Sequence, residues 1–311
     1  MALAEHWGLA AWGVRYAPLG FGSHHWIVER SDGEPAWFVT ADRLADGNAF
    51  ETLNATAAAK FELAEQGLEF VLAGLADRAG RLVVPLDGSW AMQVYPYVIG
   101  QASGFGRWED PGERHQIATL LRRLHDAIPP PSLPRWDSAI PQRDALTAAF
   151  DDLGRPWSTG PYADAVRGLL AERRAAVERR LARYDALVNS VESTSALWVV
   201  SHGEPHAGNV IRTDGAMLLI DWDTVRRAPK ERDLVNAFDD GTTDLQNTDA
   251  IEAYQHTAGR VTLHEESVQL FRLWWGLAEI CAYAAHFRGP HRDGEDDRLS
   301  WRALLHYLPA G

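Results

Sequence analysis

The 311-residue chain has 30 basic and 43 acidic side chains, a formal charge of −13, and 46% hydrophobic residues. That composition is ordinary for a globular protein of one large domain or two modest lobes with a full core. The acidity argues against nucleic acid as a main partner, because phosphate binding needs a basic face, and it suits a cationic small substrate. No apolar run approaches the ~20 residues of a membrane span. The opening Met-Ala-Leu-Ala-Glu-His-Trp-Gly lacks the basic start and apolar core of a signal peptide. One cysteine, Cys281, excludes an intrachain disulfide framework and a cysteine metal cluster. A cytoplasmic protein is the expectation.

In chain order, residues 1–15 predict a short amphipathic helix carrying Trp7 and Trp12, leading into a strand. Tyr16–Arg30 predicts two strands joined at Gly20-Phe21-Gly22-Ser23. A glycine-rich hairpin can lay backbone N–H groups over phosphates, and the same residues also serve ordinary hairpins. It is not a Walker loop, which needs Gly-Lys-Ser/Thr. Trp37–Asp42 is the next strand, and Phe50–Leu75 reads as one long helix with Ala55, Ala58, Phe61, Leu63, Ala64, Leu68 and Leu72 supplying its apolar face. Residues 81–100 form a hairpin whose second strand runs into a connection near Ile99. Glu113–Ala127 is an amphipathic helix, residues 128–134 are a proline-rich link, and Gln142–Leu153 and Ala163–Val188 are helices.

The stretch 199–227 is the most informative. Two apolar runs, 197–200 and 217–220, each end in polar groups: His202, Glu204, His206 and Asn209 after the first, Asp221 and Asp223 after the second, with a Thr213-Asp214-Gly215 turn between them. Carboxylates and an amide carbonyl at strand ends form a hard-oxygen set suited to magnesium. Helices at 249–256 and 267–286 follow, the latter carrying Trp274, Trp275, Glu279 and Tyr283. His291-Arg292-Asp293 is read as a polar loop, having no strand before it and no Asn at the needed spacing.

On these residues, His202-Gly203-Glu204…Asn209 followed by Ile220-Asp221-Trp222-Asp223, the chain resembles the aminoglycoside phosphotransferases and related small-molecule kinases. The resemblance implies an α+β, bilobal protein-kinase-like fold. A small antiparallel-sheet N-lobe would span residues 1–99 and a larger, mainly helical C-lobe residues 100–311. It implies Mg2+ and ATP or GTP as co-substrate. The catalytic position falls on Glu204, supported by His202 and Asp223, and the metal ligands on Asn209 and Asp221. Gly20, Phe21, Gly22 and Ser23 would cover phosphates. Val94, Tyr95 or Tyr97 would meet adenine through the backbone, since Pro96 cannot donate. His125, in Leu-x-x-Leu-His, and Asp233, in Pro229-x-x-x-Asp, would be structural; His206 would bond locally.

Two departures stand out. Glu204 replaces the usual Asp and is one methylene longer. Thr40 holds the place of the third-strand lysine that binds phosphates in the family, and the only lysines are Lys60 and Lys230. Three readings are open: Arg43 reaches the phosphates, Lys60 does so from the following helix, or nucleotide binds poorly. Glu62 and Glu65 are the candidates for that lysine's helix partner. The implied function is transfer of a γ-phosphoryl group to a hydroxyl of a cationic small molecule, foremost an aminoglycoside-type antibiotic, in a monomer or dimer with no nucleic-acid or membrane partner. A metabolic kinase of choline, a sugar or an amino alcohol, and an inactive ligand-binding relative, are the alternatives. In related enzymes the region of Trp274–Tyr283 lines the acceptor pocket; a core aromatic stripe is the other reading.

Overall fold

The computed structural model describes residues 2–19, 23–44, 47–104, 106, 108–239, 244–256 and 259–309. Gly20, Phe21 and Gly22 lie outside the described residues. The chain divides into two compact units, 1–136 with 198–261 and 137–197 with 262–311.

The first unit begins with a five-stranded antiparallel sheet ordered β1-β2-β3-β5-β4. Its strands are β1 (Gly13–Tyr16), β2 (Ser23–Glu29), β3 (Pro35–Arg43), β4 (Val84–Pro85) and β5 (Trp90–Pro96). Successive side chains alternate between the two faces of a strand. One face places Val28, Val39, Met92 and Val94 in a core with Trp7. The Trp7 indole donates to the Leu75 carbonyl over 2.8 Å. The register then sets Asp42 opposite Ser23 and Ala91, and Thr40 opposite His25 and Gln93, on the other face. Helix α1 (Ala49–Glu65) covers that face through Ala57, which packs with Val83 and Ala91.

Two expected elements are shorter. The N-terminal helix is one turn, Leu3–Trp7, stopped by Gly8 at φ 71°. Helix α1 stops at Glu65, because Gly67 takes a left-handed conformation at φ 84°, the usual way a helix terminates. Leu68, Phe70 and Val71 are still buried, from irregular backbone.

The rest of this unit comprises β6 (Gln101–Ala102), helix α2 (Pro111–Asp126) capped by Asp110, β7 (Val199–Ser201), β8 (Val210–Arg212), β9 (Met217–Leu219), β10 (Arg226–Ala228), α5 (Glu231–Phe238) and α6 (Asp249–His256). β6, β8 and β9 form one antiparallel sheet and β7 pairs with β10. The second unit contains α3 (Arg143–Asp151), α4 (Ala163–Ser193), α7 (Glu265–Arg288) and α8 (Glu295–Tyr307). Cys281 is fully buried on α7. The His291-Arg292-Asp293 tripeptide is a loop with structural bonds: Nε2 of His291 accepts the Tyr162 N–H at 3.1 Å, and Asp293 accepts the Tyr162 hydroxyl at 2.7 Å.

Candidate active site

Strand β7 delivers the chain into His202-Gly203-Glu204, and a buried carboxylate holds this turn. Asp233, on the first turn of α5, has no exposed surface. One of its oxygens accepts from Ser201 Oγ (2.8 Å) and the Gly203 N–H (2.6 Å). The other accepts from the His202 N–H (2.9 Å) and His125 Nε2 (2.9 Å). Tyr254 bonds the remaining ring nitrogen of His125 at 2.7 Å. Burial opposes ionisation of Asp233, but these donors and the charge of Arg232 prevail and hold its pKa below the ordinary value. Gly203 is at φ 104°, and the Arg232 guanidinium occupies the space a Cβ would need. Burial lowers the Arg232 pKa to about 10, so it stays a cation beneath the loop.

His202 is fully buried. Its Nε2 lies 2.9 Å from the Ile220 carbonyl and so carries the proton, while Nδ1 accepts the Glu204 N–H at 3.3 Å. The ring meets Trp222 edge-on at 4.6 Å. Burial pulls its pKa down to about 4. A neutral ring with both nitrogens bonded positions Glu204 and Ile220; it holds the loop. His206 caps the short turn Ala207–Asn209 by accepting the Gly208 N–H at 3.2 Å.

Across the loop, the Asn209 amide nitrogen donates to the Glu204 carbonyl at 3.0 Å. That bond turns the amide oxygen away from Glu204 and leaves it as an acceptor. The Ile220 N–H donates to the Asn209 carbonyl at 3.0 Å. Asp221, directly after, is at φ 59°, a strained conformation for a residue other than glycine. Thr224 Oγ1 donates to the His202 carbonyl at 2.9 Å. The structure therefore links His202, Glu204, Asn209 and Ile220 through a closed set of bonds, with Asp221 next in the chain. Asp223 joins them electrostatically. Loss of hydration raises its pKa, Lys60 counteracts this, and Asp221 and Asp42 add to it. Among the described residues no group of three or more His, Cys, Asp or Glu side chains could hold a metal ion. An amide oxygen and one carboxylate fit magnesium, which takes few protein ligands when substrate phosphates complete its shell.

The sheet's α1-covered face carries a second network. Asp42 accepts from Ser23 Oγ (2.5 Å), Thr40 Oγ1 (3.2 Å) and Gln93 Nε2 (3.2 Å). Gln93 Oε1 accepts the Tyr95 hydroxyl at 3.0 Å, and that hydroxyl accepts from Lys60 Nζ at 2.7 Å. Lys60 is 3% exposed. Burial acts against its charge, and Tyr95, Asp223 and Asp42 outweigh it, so its pKa is raised. Burial likewise raises the Tyr95 pKa. Arg43 is exposed, and strand alternation sends it to the face opposite Thr40 and Asp42. Glu62 accepts from Ser132 Oγ at 2.9 Å, not from a strand residue.

Of the residues expected to meet adenine, Tyr97 needs correction. The Tyr97 N–H donates to the Ala36 carbonyl at 2.9 Å, and the Val94 carbonyl accepts the Leu75 N–H at 2.7 Å. Tyr95 pairs with Phe38 in the β3–β5 ladder. The Tyr97 N–H is therefore engaged within the fold. Tyr95 enters the network through its side chain. Sequence reasoning missed Gln93 and the Tyr95 hydroxyl. The available signal was the spacing of Gln93 and Tyr95, two apart like Thr40 and Asp42, which puts all four on one sheet face. In the second unit, Trp275 donates to the Tyr307 hydroxyl at 2.9 Å, and Trp274 and Tyr283 are half-buried.

An antiparallel sheet with one covering helix, followed by a braced His-Gly-Glu loop facing an Asn and a strained Asp, is the arrangement of a kinase-like phosphotransferase. The chain belongs to the phosphotransferase enzyme family, whose model matches residues 19–271; the family transfers phosphoryl groups to hydroxyl acceptors. It is 32% identical to protein StrN of Streptomyces griseus over 96% of this chain and 86% of that protein. Its fold is similar to that of a spectinomycin phosphotransferase solved with ADP and spectinomycin, with a TM-score of 0.78 at 16% identity, covering 99% of this chain and 93% of that one. It is also similar to an amicoumacin kinase solved with AMP-PNP, Ca2+ and Ami, with a TM-score of 0.64 at 12% identity, covering 98% of this chain and 90% of that one.

Proposed function

We propose that this protein transfers the γ-phosphoryl group of ATP or GTP to a hydroxyl of a cationic, aminoglycoside-type antibiotic. The observation that carries the reading is the Asn209 amide. Its nitrogen donates to the Glu204 carbonyl while the Asn209 carbonyl takes the N–H of Ile220, the residue before Asp221, so one residue ties the Glu204 loop to the Asp221 segment. Asn209 and Asp221 would hold magnesium. When bound, the ion supplies charge neutralisation at the phosphates.

The acceptor oxygen forms its bond to the γ-phosphorus as the bond to the β–γ bridging oxygen breaks, and ADP or GDP leaves. Glu204 accepts the hydroxyl proton. Its extra methylene is accommodated because His202 and Asn209 fix the loop backbone on both sides of it. Such a transition state is loose, so positioning and charge dominate over covalent chemistry. The acidity of the chain, −13, supports a cationic acceptor, and the antibiotic class is supported by the spectinomycin and amicoumacin enzymes that share the fold. No helix among the described residues is long and apolar enough to cross a membrane.

The test is a phosphorylation screen of aminoglycosides, spectinomycin and small amino alcohols with ATP or GTP and Mg2+, read by mass spectrometry. A mass gain of one phosphoryl group on an antibiotic, lost in Glu204→Gln, is expected. Turnover of an amino alcohol alone would overturn the antibiotic assignment, and full activity of Glu204→Gln would remove Glu204 from the chemistry.

A further inference from the structure

The family's strand lysine is missing, yet its charge has a counterpart in this fold. We propose that Lys60, presented by helix α1 and held by the Tyr95 hydroxyl, makes the cationic contact to the nucleotide phosphates, with Asp42 on β3 as its acidic counterpart. This rests on the phosphotransfer reading above. The usual kinase pair has a lysine on the strand and a glutamate on the helix. Here the acid is on the strand and the lysine on the helix, so the two signs have exchanged elements.

Three observations carry it. First, Lys60 is 3% exposed, and a buried ammonium is costly unless paired. Yet among the described residues it makes no ion pair, and its hydrogen bond goes to a neutral hydroxyl at 2.7 Å. An ammonium has three donors, so its capacity for an anionic partner is unfilled. Second, the group is aimed. Tyr95 is itself fixed by Gln93, and Gln93 by Asp42. The chain of bonds ends at the carboxylate that Thr40, in the absent lysine's place, also contacts. Third, its electrostatic neighbours are Asp223 and Asp42, the first from the Asp221-Trp222-Asp223 segment and the second from the sheet. Lys60 therefore lies in the field of both halves of the nucleotide site. A polyphosphate adds several negative charges beside Asp42, Asp221 and Asp223, and without a cation they would repel it.

Arg43 is on the wrong sheet face, as shown above, and Arg232 is committed beneath Gly203 with its Nη1 donating to Ser201 at 3.2 Å. Tyr95 is then a positioning residue: it touches the lysine, not the nucleotide.

The experiment measures the affinity of the full chain for ADP, ATP and adenosine in the presence of Mg2+, by titration calorimetry, for wild type, Lys60→Met, and Lys60→Met combined with Thr40→Lys. Lys60→Met should weaken ADP and ATP about 10- to 100-fold, the scale of one charge-assisted contact, and leave adenosine within about twofold. Returning a lysine to the strand through Thr40→Lys should recover part of the loss. Equal ADP affinity in wild type and Lys60→Met, or an equal loss for adenosine and ADP, would overturn the assignment while leaving the phosphotransfer reading intact. A wild type that binds no nucleotide would overturn both. Should Lys60→Met fail to fold, Lys60→Gln decides, since its amide can still donate to the Tyr95 hydroxyl: ADP should weaken at least about tenfold with adenosine within about twofold, and wild-type ADP affinity in that variant would sink the proposal.

Discussion

The ring of His202 is bonded to the carbonyl of Ile220 across 2.9 Å, and this bond couples the loop that carries Glu204 to the segment that carries Asp221. The same ring takes the Glu204 N–H on its other nitrogen. One side chain thus sets the spacing between the proton acceptor and the metal ligand, and it can do so only while neutral, because Nδ1 must accept.

Acidification should therefore loosen the site. The pKa of His202 is about 4 in the fold against about 6.5 unfolded. Between these values the unfolded chain binds the extra proton, so stability rises with pH. The contribution is fully present above pH ~6.5 and lost as pH falls toward 4, by up to about 3 kcal/mol. Burial lowers His25 and His206 in the same direction. Urea midpoints measured from pH 7.5 to 4.5 should fall steadily, and His202→Asn should flatten the slope. A pH-independent midpoint would contradict the assignment.

Gly203→Ala should damage both stability and rate. The new methyl meets the Arg232 guanidinium, and φ 104° is unfavourable for any L side chain. A loss of about 2 kcal/mol or more follows from the strain. Displacing Glu204 by about 1 Å costs on the order of a hundredfold in rate. Denaturation and steady-state kinetics on the one variant check both.

Asp233→Asn keeps the shape but not the donor balance. The carboxylate accepts four hydrogen bonds, whereas an amide has one accepting oxygen and must point its NH2 at two donors in either flip. Removing the charge also leaves Arg232 buried without its compensation. Destabilisation of about 3–5 kcal/mol is expected, larger than for most single changes, and is read from chemical denaturation.

Asp221→Asn separates charge from conformation. Asn tolerates the left-handed region, so the fold should be retained within about 0.5 kcal/mol. Magnesium-dependent nucleotide stabilisation in a thermal shift should vanish. If it persists, Asp221 is not the ligand.

Much of the loop region was readable because its parts lie close in sequence. His202, Glu204 and Asn209 sit within one turn-rich segment, and Asp221 ends the next apolar run, so local spacing suffices to bring them together. The inner sheet face was not. Whether Lys60 is buried depends on which side of α1 meets the sheet, and the alanines spread around that helix give no sharp apolar stripe. Its link to Asp42 runs through Gln93 and Tyr95, whose placement needs the β3–β5 register. Gly67 hid the end of α1, because Leu68 and Leu72 kept the helical period after the helix had stopped. The availability of the Tyr97 N–H depended on its pairing with Ala36, a long-range contact with no local signature.

The lone thiol, Cys281, has no exposed surface, and burial pushes its pKa up to about 11, which leaves it protonated and poorly reactive at neutral pH. For spectroscopy the protein is thus close to a thiol-free background. A cysteine introduced at the exposed Ile99 or Leu197 would carry a spin or fluorescent label without competition, giving a clean readout of backbone movement when nucleotide is added.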